Sequence, residues 1–378
     1  MAAREHNGFD ALRLFAASMV VFRHAYGLPA GADPNAEPVL RMLGFISAGG
    51  LGVATLFFLS GLLISQSWAH STTPIEFAAH RVARIWPGLV WCLVLTTYFI
   101  VPIGTGAATS FYMRSDVHHY IASNALLYNM QFEIVGVFDE QRFSAINGSL
   151  WTLPPEVTMY GVVLVLGLCG LLRNGWIAAF CAVLIGLVLW RVPAIASALH
   201  FGWELVRGML FFLAGMTVYA LRRHIRVALW HAVVAWCVFL AIPAAAKEAA
   251  FYLVWAITIL AIGVHTDIAR LLQLRDDYSY GVYLYGFPLQ QMLVHWIPTS
   301  GAALNFLVAM PVCFVFAALS WHGIERPMLR WVRRLGPDVR ECPVGQRWVY
   351  SARALCFAIA VPGAAVRSEE HTSELQSH

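Results

Sequence analysis

Lysine is almost missing from this chain. Lys247 stands alone beside 24 arginines, and charged residues of all kinds make up only 12% of the 378 residues. Soluble domains carry about 25% charge, so an ordinary solvated globular surface is excluded. The basic residues form no long block, and the net charge of +4 therefore reads as loop charge. No nucleic-acid partner is expected from it. Cysteine is sparse as well: Cys92, Cys169, Cys181, Cys237, Cys313, Cys342 and Cys356 include no Cys-x-x-Cys pair, and five of the seven lie in apolar runs. Neither a disulfide framework nor a zinc site follows. No period of about 20 to 50 residues and no duplicated half can be found, which speaks against a repeat array and weakens a transporter reading. No cleavable leader is expected, because the first apolar stretch carries Arg13 and lacks a small-residue cleavage site.

What the chain does have is apolar sequence. Hydrophobic residues make up 59% and the mean hydropathy is +0.65. Ten apolar runs, near 9–28, 48–69, 85–103, 152–171, 175–191, 202–221, 227–244, 249–265, 278–297 and 302–322, are long enough to cross a bilayer. The expected fold class is an all-α, polytopic integral membrane protein with about ten transmembrane helices. With the N-terminus inside, one set of loops and the tail hold thirteen arginines: Arg4, Arg81, Arg84, Arg173, Arg222, Arg223, Arg226, Arg270, Arg275, Arg326, Arg330, Arg333 and Arg334. The opposite loops hold five basic residues, Arg41, Arg114, Arg142, Arg191 and Lys247. Positive charge favours the cytoplasmic side, so both termini are expected there.

Three segments follow: a transmembrane domain over 1–334, a cytoplasmic tail over 335–366 that is expected to be incomplete, and residues 367–378. The last twelve residues look like the translation of a sequencing adaptor and stand apart from the fold. The one large non-membranous segment, about 104–150, is expected to be a solvated outer loop. Its Asp116, His118, His119 and Glu133 match no metal-ligand template, and Asn147-Gly148-Ser149 fits a glycosylation triplet.

Arg13 and His24 lie inside the first apolar run, where an ionisable side chain needs a partner or a task. Eleven residues at about 100° each return to within about 20° of the starting direction and rise about 16 Å. One helix face thus carries a permanent cation near one membrane surface and an imidazole near the other. The plainer alternative has Arg13 reaching the interface beside Asp10 while His24 ends the helix among headgroups. Glu204 and Arg207, three apart in the sixth run, are expected to pair. Ser60 lacks the glycine two residues before it that a nucleophile elbow needs, and reads as a packing residue. Tyr283, Tyr285, Gln290 and Gln291 are candidates to line a sugar cavity, with interface anchoring as the alternative for the tyrosines.

Five local motifs, in order, carry a family resemblance. Phe9-Asp-Ala-Leu-Arg13 with His24, Gly52-Val-Ala-Thr-Leu-Phe-Phe-Leu-Ser60-Gly61, and Arg81-Val-Ala-Arg84-Ile-Trp-Pro87 open the chain. Ser149-Leu-Trp-Thr-Leu-Pro-Pro-Glu156-Val-Thr-Met-Tyr160 and Tyr278-Ser-Tyr-Gly-Val-Tyr-Leu-Tyr285 follow. Together, over about residues 9 to 327, they resemble the acyltransferase-3 family of membrane O-acyltransferases. One departure is Gly286-Phe-Pro288, where many members place a histidine before the phenylalanine.

The resemblance implies transfer of an acyl group, most often acetyl, from cytosolic acyl-CoA to a hydroxyl of a carbohydrate such as a surface polysaccharide or glycolipid. The bilayer implied is a bacterial cytoplasmic membrane, with acyl-CoA as donor substrate and no tightly bound cofactor. On that footing Arg81 and Arg84, three apart at the start of the third span, would grip CoA phosphates. Their alternative is an ordinary positive-inside flank. Trp86-Pro87 would fix the helix start. Arg13 would bind the donor or polarise its thioester. His24 would be the general base, since an imidazole accepts a proton near working pH. Glu156 would orient that imidazole, or would simply be a helix-start carboxylate. The competing class is a glycolipid carrier or flippase, with Arg13, His24, Glu156 and Arg207 as a charge relay.

The charge asymmetry has a direct test. In a background without native cysteines, an impermeant thiol reagent applied to whole cells is expected to label Ser144→Cys and to spare His224→Cys. The reverse pattern would overturn the orientation.

Overall fold

The computed structural model describes residues 8–191, 202–265, 267–268 and 274–341. Arg4, Arg270, Cys342, Cys356 and the segment 367–378 lie outside the described residues. The elements are α1 (Phe9–Gly27), α2 (Pro38–Leu43), α3 (Ala48–His70) and α4 (Pro74–Leu95). A π turn over Thr96–Ile100 continues α4 into α5 (Val101–Thr105), and α6 (Ser115–Leu126), α7 (Leu153–Leu168) and α8 (Gly175–Arg191) follow. Next come α9 (Trp203–Ala220), α10 (Leu229–Leu240), α11 (Ala244–Val264), α12 (Ser279–Trp296) and α13 (Ala302–Ser320). A second π turn, Trp321–Glu325, leads into α14 (Arg326–Glu341). No strand occurs among the described residues.

Every one of the ten apolar runs falls on a helix. Five stretches, Ala48–His70, Pro74–Thr105, Gly148–Leu168, Ala244–Val264 and Ala302–Arg334, are long and apolar enough to cross a membrane. Their ends are marked in the sequence. Ser47 accepts the Gly50 amide at 3.2 Å and Thr73 accepts the Glu76 amide at 3.0 Å, each satisfying a free N–H of the first turn.

α3 is the central helix, packed between α1 and α9. Small residues set those contacts. A Cβ on Gly61 would run into the Phe212 carbonyl, and one on Gly215 would run into the Phe58 carbonyl. The backbones of α3 and α9 therefore touch, which only glycine allows. Phe57, Phe58, Leu59, Phe212 and Leu213 fill the layers around this contact. On the other flank α1 lies against α12 as well as α3, which brings Arg13 and His24 into the interior.

The expected start of the third span is corrected. α4 starts at Pro74, not near 85, and Pro87 lies inside it. Arg81 and Arg84 consequently sit about two and about three turns into the helix, and the Trp86 indole donates to the Ala125 carbonyl at 2.9 Å. α14 continues past residue 335 to Glu341.

The segment 104–150 is not a solvated loop. Val117, Tyr120, Ile134 and Ile146 are all buried in the main core. Asn124, fully buried, donates to the Gln131 carbonyl at 2.7 Å and accepts its amide at 3.2 Å. His118 bonds the Tyr98 hydroxyl at 2.8 Å, Asp116 pairs with Arg114 at 2.5 Å and Glu133 accepts from Ser144 at 2.6 Å. Asn147 is buried and donates to the Leu284 carbonyl at 2.9 Å, so its amide is a structural group and not a glycan acceptor.

Candidate active site

A cation in an apolar bundle needs an anion, and Asp277 supplies it. This carboxylate stands just before α12, with its residue 8% exposed. It accepts from Arg13 Nη1 at 3.1 Å, Arg84 Nη2 at 2.6 Å, and the Ser279 amide and hydroxyl at 3.1 and 2.5 Å. Burial by itself raises the carboxyl pKa. Arg84, Arg13 and the Ser279 bonds outweigh that and hold it well below the usual carboxylate range.

Arg84 is further enclosed. Glu325 Oε2 lies 3.7 Å from Nη1, and the guanidinium carbon sits 5.5 Å from the Tyr280 ring centre and 5.9 Å from that of Trp321. The π turn over Trp321–Glu325 carries two of these groups, and such turns recur at functional sites. Arg81 is differently placed. Its Nη2 donates to Ser67 Oγ at 3.2 Å, and its Nε has no partner. The Nε of Arg13 also has none. Arg13, Arg81 and Arg84 line a cavity of about 380 Å³ together with Arg333, Asp10 and Asp277. Four arginines against two carboxylates leave it basic.

Arg13, Ser60, Arg84 and Tyr160 also line a second, narrow cavity of about 50 Å³, which Glu156 and Tyr283 complete. Glu156 Oε1 accepts from Ser60 Oγ at 3.1 Å and from the Tyr160 hydroxyl at 2.5 Å. The expectation that Glu156 orients His24 is thus corrected, because its partners are Ser60 and Tyr160. Ser60 in turn, besides packing, lines both cavities and holds Glu156.

Val53 separates this waist from a third cavity, of about 300 Å³, lined by His24, Arg23, Trp151, Glu204 and Arg207. The His24 ring meets Phe287 edge to face at 5.1 Å, and its Nδ1 has no hydrogen-bond partner. Glu204 and Arg207 pair at 2.9 Å, as the i, i+3 spacing suggests. The three cavities lie in series along α1 and α3, and the rise from Arg13 to His24 along α1 is about 16 Å.

Of the tyrosines and glutamines proposed for a sugar cavity, Tyr283 alone reaches one, at the waist. Gln290 donates to the Val21 carbonyl at 2.9 Å and to Asn305 at 2.8 Å, and Gln291 donates to the Phe143 carbonyl. Tyr285 is fully buried. These three are framework.

The residues that sequence reasoning missed are Asp277, Glu325 and Tyr160. Each had a signal. Asp277 directly precedes the Tyr278–Tyr285 motif, Tyr160 is one turn beyond Glu156, and Glu325 follows the last apolar run.

A family model described as an acyltransferase domain matches residues 6–322. An O-acetyl transferase of Shigella phage Sf6 is 30% identical over 352 residues, covering 88% of this chain and 98% of the phage protein. Nodulation protein 10 of Rhizobium leguminosarum bv. viciae is 29% identical over 358 residues, covering 86% and 93%. No solved structure matches the chain.

The two arginines of the Arg81-x-x-Arg84 pair are expected to separate on mutation. Arg84→Ala takes the guanidinium from buried Glu325 and leaves Asp277 with Arg13 and Ser279 alone, and should cost about 3–5 kcal/mol, read as a large drop in melting temperature in detergent. Arg81→Ala breaks one bond to a serine hydroxyl and should cost about 1 kcal/mol. Equal melting of the two variants would remove Arg84 from the structural role.

Proposed function

The chain belongs to the acyltransferase-3 family and is an O-acyltransferase, and from that premise we propose that it moves an acetyl group from acyl-CoA to a hydroxyl of a carbohydrate. The carrier reading gives way to transfer. The observation that carries the proposal is the order of the three cavities: arginines at one end, a narrow waist, and an imidazole at the other end. The bundle is taken to cross a bacterial cytoplasmic membrane about ten times with both termini cytoplasmic, which puts the arginine end at the cytosol.

In this reading Arg81 and Arg13, which keep unpartnered N–H groups, bind phosphate oxygens of the donor. Arg84 fixes the anionic frame around them. The thin thioester arm passes the waist at Arg13, Glu156 and Tyr160. A waist of about 50 Å³ favours a short acyl group over a long one. Glu156 acts there as a positioning residue, holding Ser60 and Tyr160.

The acceptor occupies the cavity at His24. Trp151 offers an aromatic face, and the Glu204–Arg207 pair offers both acceptor and donor atoms to sugar hydroxyls. His24, free of any bond at Nδ1, takes the proton as the hydroxyl oxygen attacks the thioester carbonyl. The C–O bond forms as the C–S bond breaks. The proton then passes from His24 to the leaving thiolate, so free thiol and an ester are the products.

His24→Ala is expected to lower acyl transfer about 10²–10⁴-fold, with membrane insertion and acetyl-CoA binding kept. His24→Gln, which retains a hydrogen bond but accepts no proton, should be nearly as damaging. Most of the activity surviving in the glutamine variant would make His24 a positioning residue and move the base elsewhere.

A further inference from the structure

A fourth cavity, larger than these three, takes no part in this scheme. It encloses about 800 Å³ between the ends of α3, α7, α8 and α9, within the range of small-molecule sites. Arg173, Arg222, Arg223 and His224 line it, and no aspartate or glutamate does. The donor cavity, by contrast, holds Asp10 and Asp277 among its arginines. Arg222 is partly committed, donating to the Tyr219 carbonyl at 2.9 Å with its guanidinium 4.1 Å from that ring's centre. Arg173 and Arg223 are exposed and have no carboxylate partner among the described residues. The N-terminus of α8 opens on the same space at Gly175 and Trp176, adding the positive end of its dipole.

The surroundings are as telling as the charge. From this cavity an apolar surface runs outward along α7 and α8. Val165, Leu168, Trp176, Ile177 and Phe180 are 58%, 60%, 62%, 45% and 66% exposed. An occupant that matches both features has an anionic head and an apolar tail. We propose that this cavity binds the headgroup of a phosphate-bearing anionic membrane lipid, with its acyl chains on the apolar face of α7 and α8. Basic pockets between helices at the arginine-rich membrane face recognise lipid phosphates in this way. Arg173 and Arg223 hold the phosphate, and Trp176 marks the level of the interface. The shared chemistry, a phosphate ester, also occurs in the nucleotide part of an acyl-CoA. A nucleotide alone would leave the apolar lip uncovered, and for that reason the lipid is the assigned source.

The test uses the full chain purified into nanodiscs of phosphatidylcholine and titrated with phosphatidylglycerol, retained lipid being read by native mass spectrometry. The wild type should retain phosphatidylglycerol over phosphatidylcholine about tenfold or more, and Arg173→Gln with Arg223→Gln should abolish that preference. About 1 kcal/mol for each basic residue sets this scale. An unchanged preference in the double variant overturns the site. So does a double variant that keeps its lipid preference but loses binding of coenzyme A, since the phosphate would then be the nucleotide's. Should the double variant fail to insert, the wild type decides. Brominated phosphatidylglycerol must quench Trp176, read as the difference from Trp176→Phe, more than brominated phosphatidylcholine does, and equal quenching overturns the proposal.

Discussion

The shared carboxylate of Asp277 is the constraint on which the rest of the site depends. It ties α1 through Arg13, α4 through Arg84 and the start of α12 through its own Ser279 bonds. Three helices distant in sequence are thereby registered at one depth. Removing buried charges from water costs several kcal/mol per ion, and only close pairing with further hydrogen bonds offsets it. The node meets that condition: Asp277 takes four donors, while Arg84 is shared with Glu325 and enclosed by two aromatic rings. A division of labour results. Arg84 is spent on the fold, whereas Arg81 and Arg13 retain N–H groups that a ligand can use.

Fixing α1 at Arg13 also fixes the position of the cavity at its other end. A regular helix rises about 1.5 Å per residue, so His24 has a set height above the node. The glycine contact between α3 and α9 completes the enclosure, since Phe57 and Val53 of α3 wall the waist while Arg207 and Gly208 of α9 wall the His24 cavity. The proposed transfer from a thioester would need a passage wide enough for its thin arm and too narrow for free solvent flow. A charged entrance, a tight middle and a polar far chamber fit that requirement.

Much of this architecture was legible in the sequence because hydropathy and length alone decide where membrane-type helices form. All ten apolar runs fall on helices, and the Arg13-to-His24 interval placed both residues in cavities along one helix. The Glu204–Arg207 pair followed from i, i+3 spacing. Long-range partners were out of reach. Arg13 had Asp10 three residues away as a local candidate, yet its observed ion pair is to Asp277, 264 positions on. Glu156 was assigned to His24 by depth, while helix rotation turns it to Ser60 and Tyr160. The segment 104–150 looked solvated because it holds no run long enough to cross a bilayer and the charge rule places it outside. Its apolar residues are instead buried by packing on the bundle, with Asn124 at the end of α6 and Asn147 beyond it satisfying backbone carbonyls. A proline and a tryptophan suggested a helix start at 86–87, but the cap at Thr73 decides it.

The most direct test of the account is a structure of the full chain in a lipid bilayer with a non-hydrolysable acetyl-CoA analogue bound. The nucleotide phosphates are expected within hydrogen-bonding distance of Arg81 and Arg13, with the Arg84–Asp277 contact intact and the acetyl group past the waist on the His24 side. Phosphates seated instead among Arg173, Arg222 and Arg223, or an acetyl group that stays on the arginine side of Glu156, would contradict it.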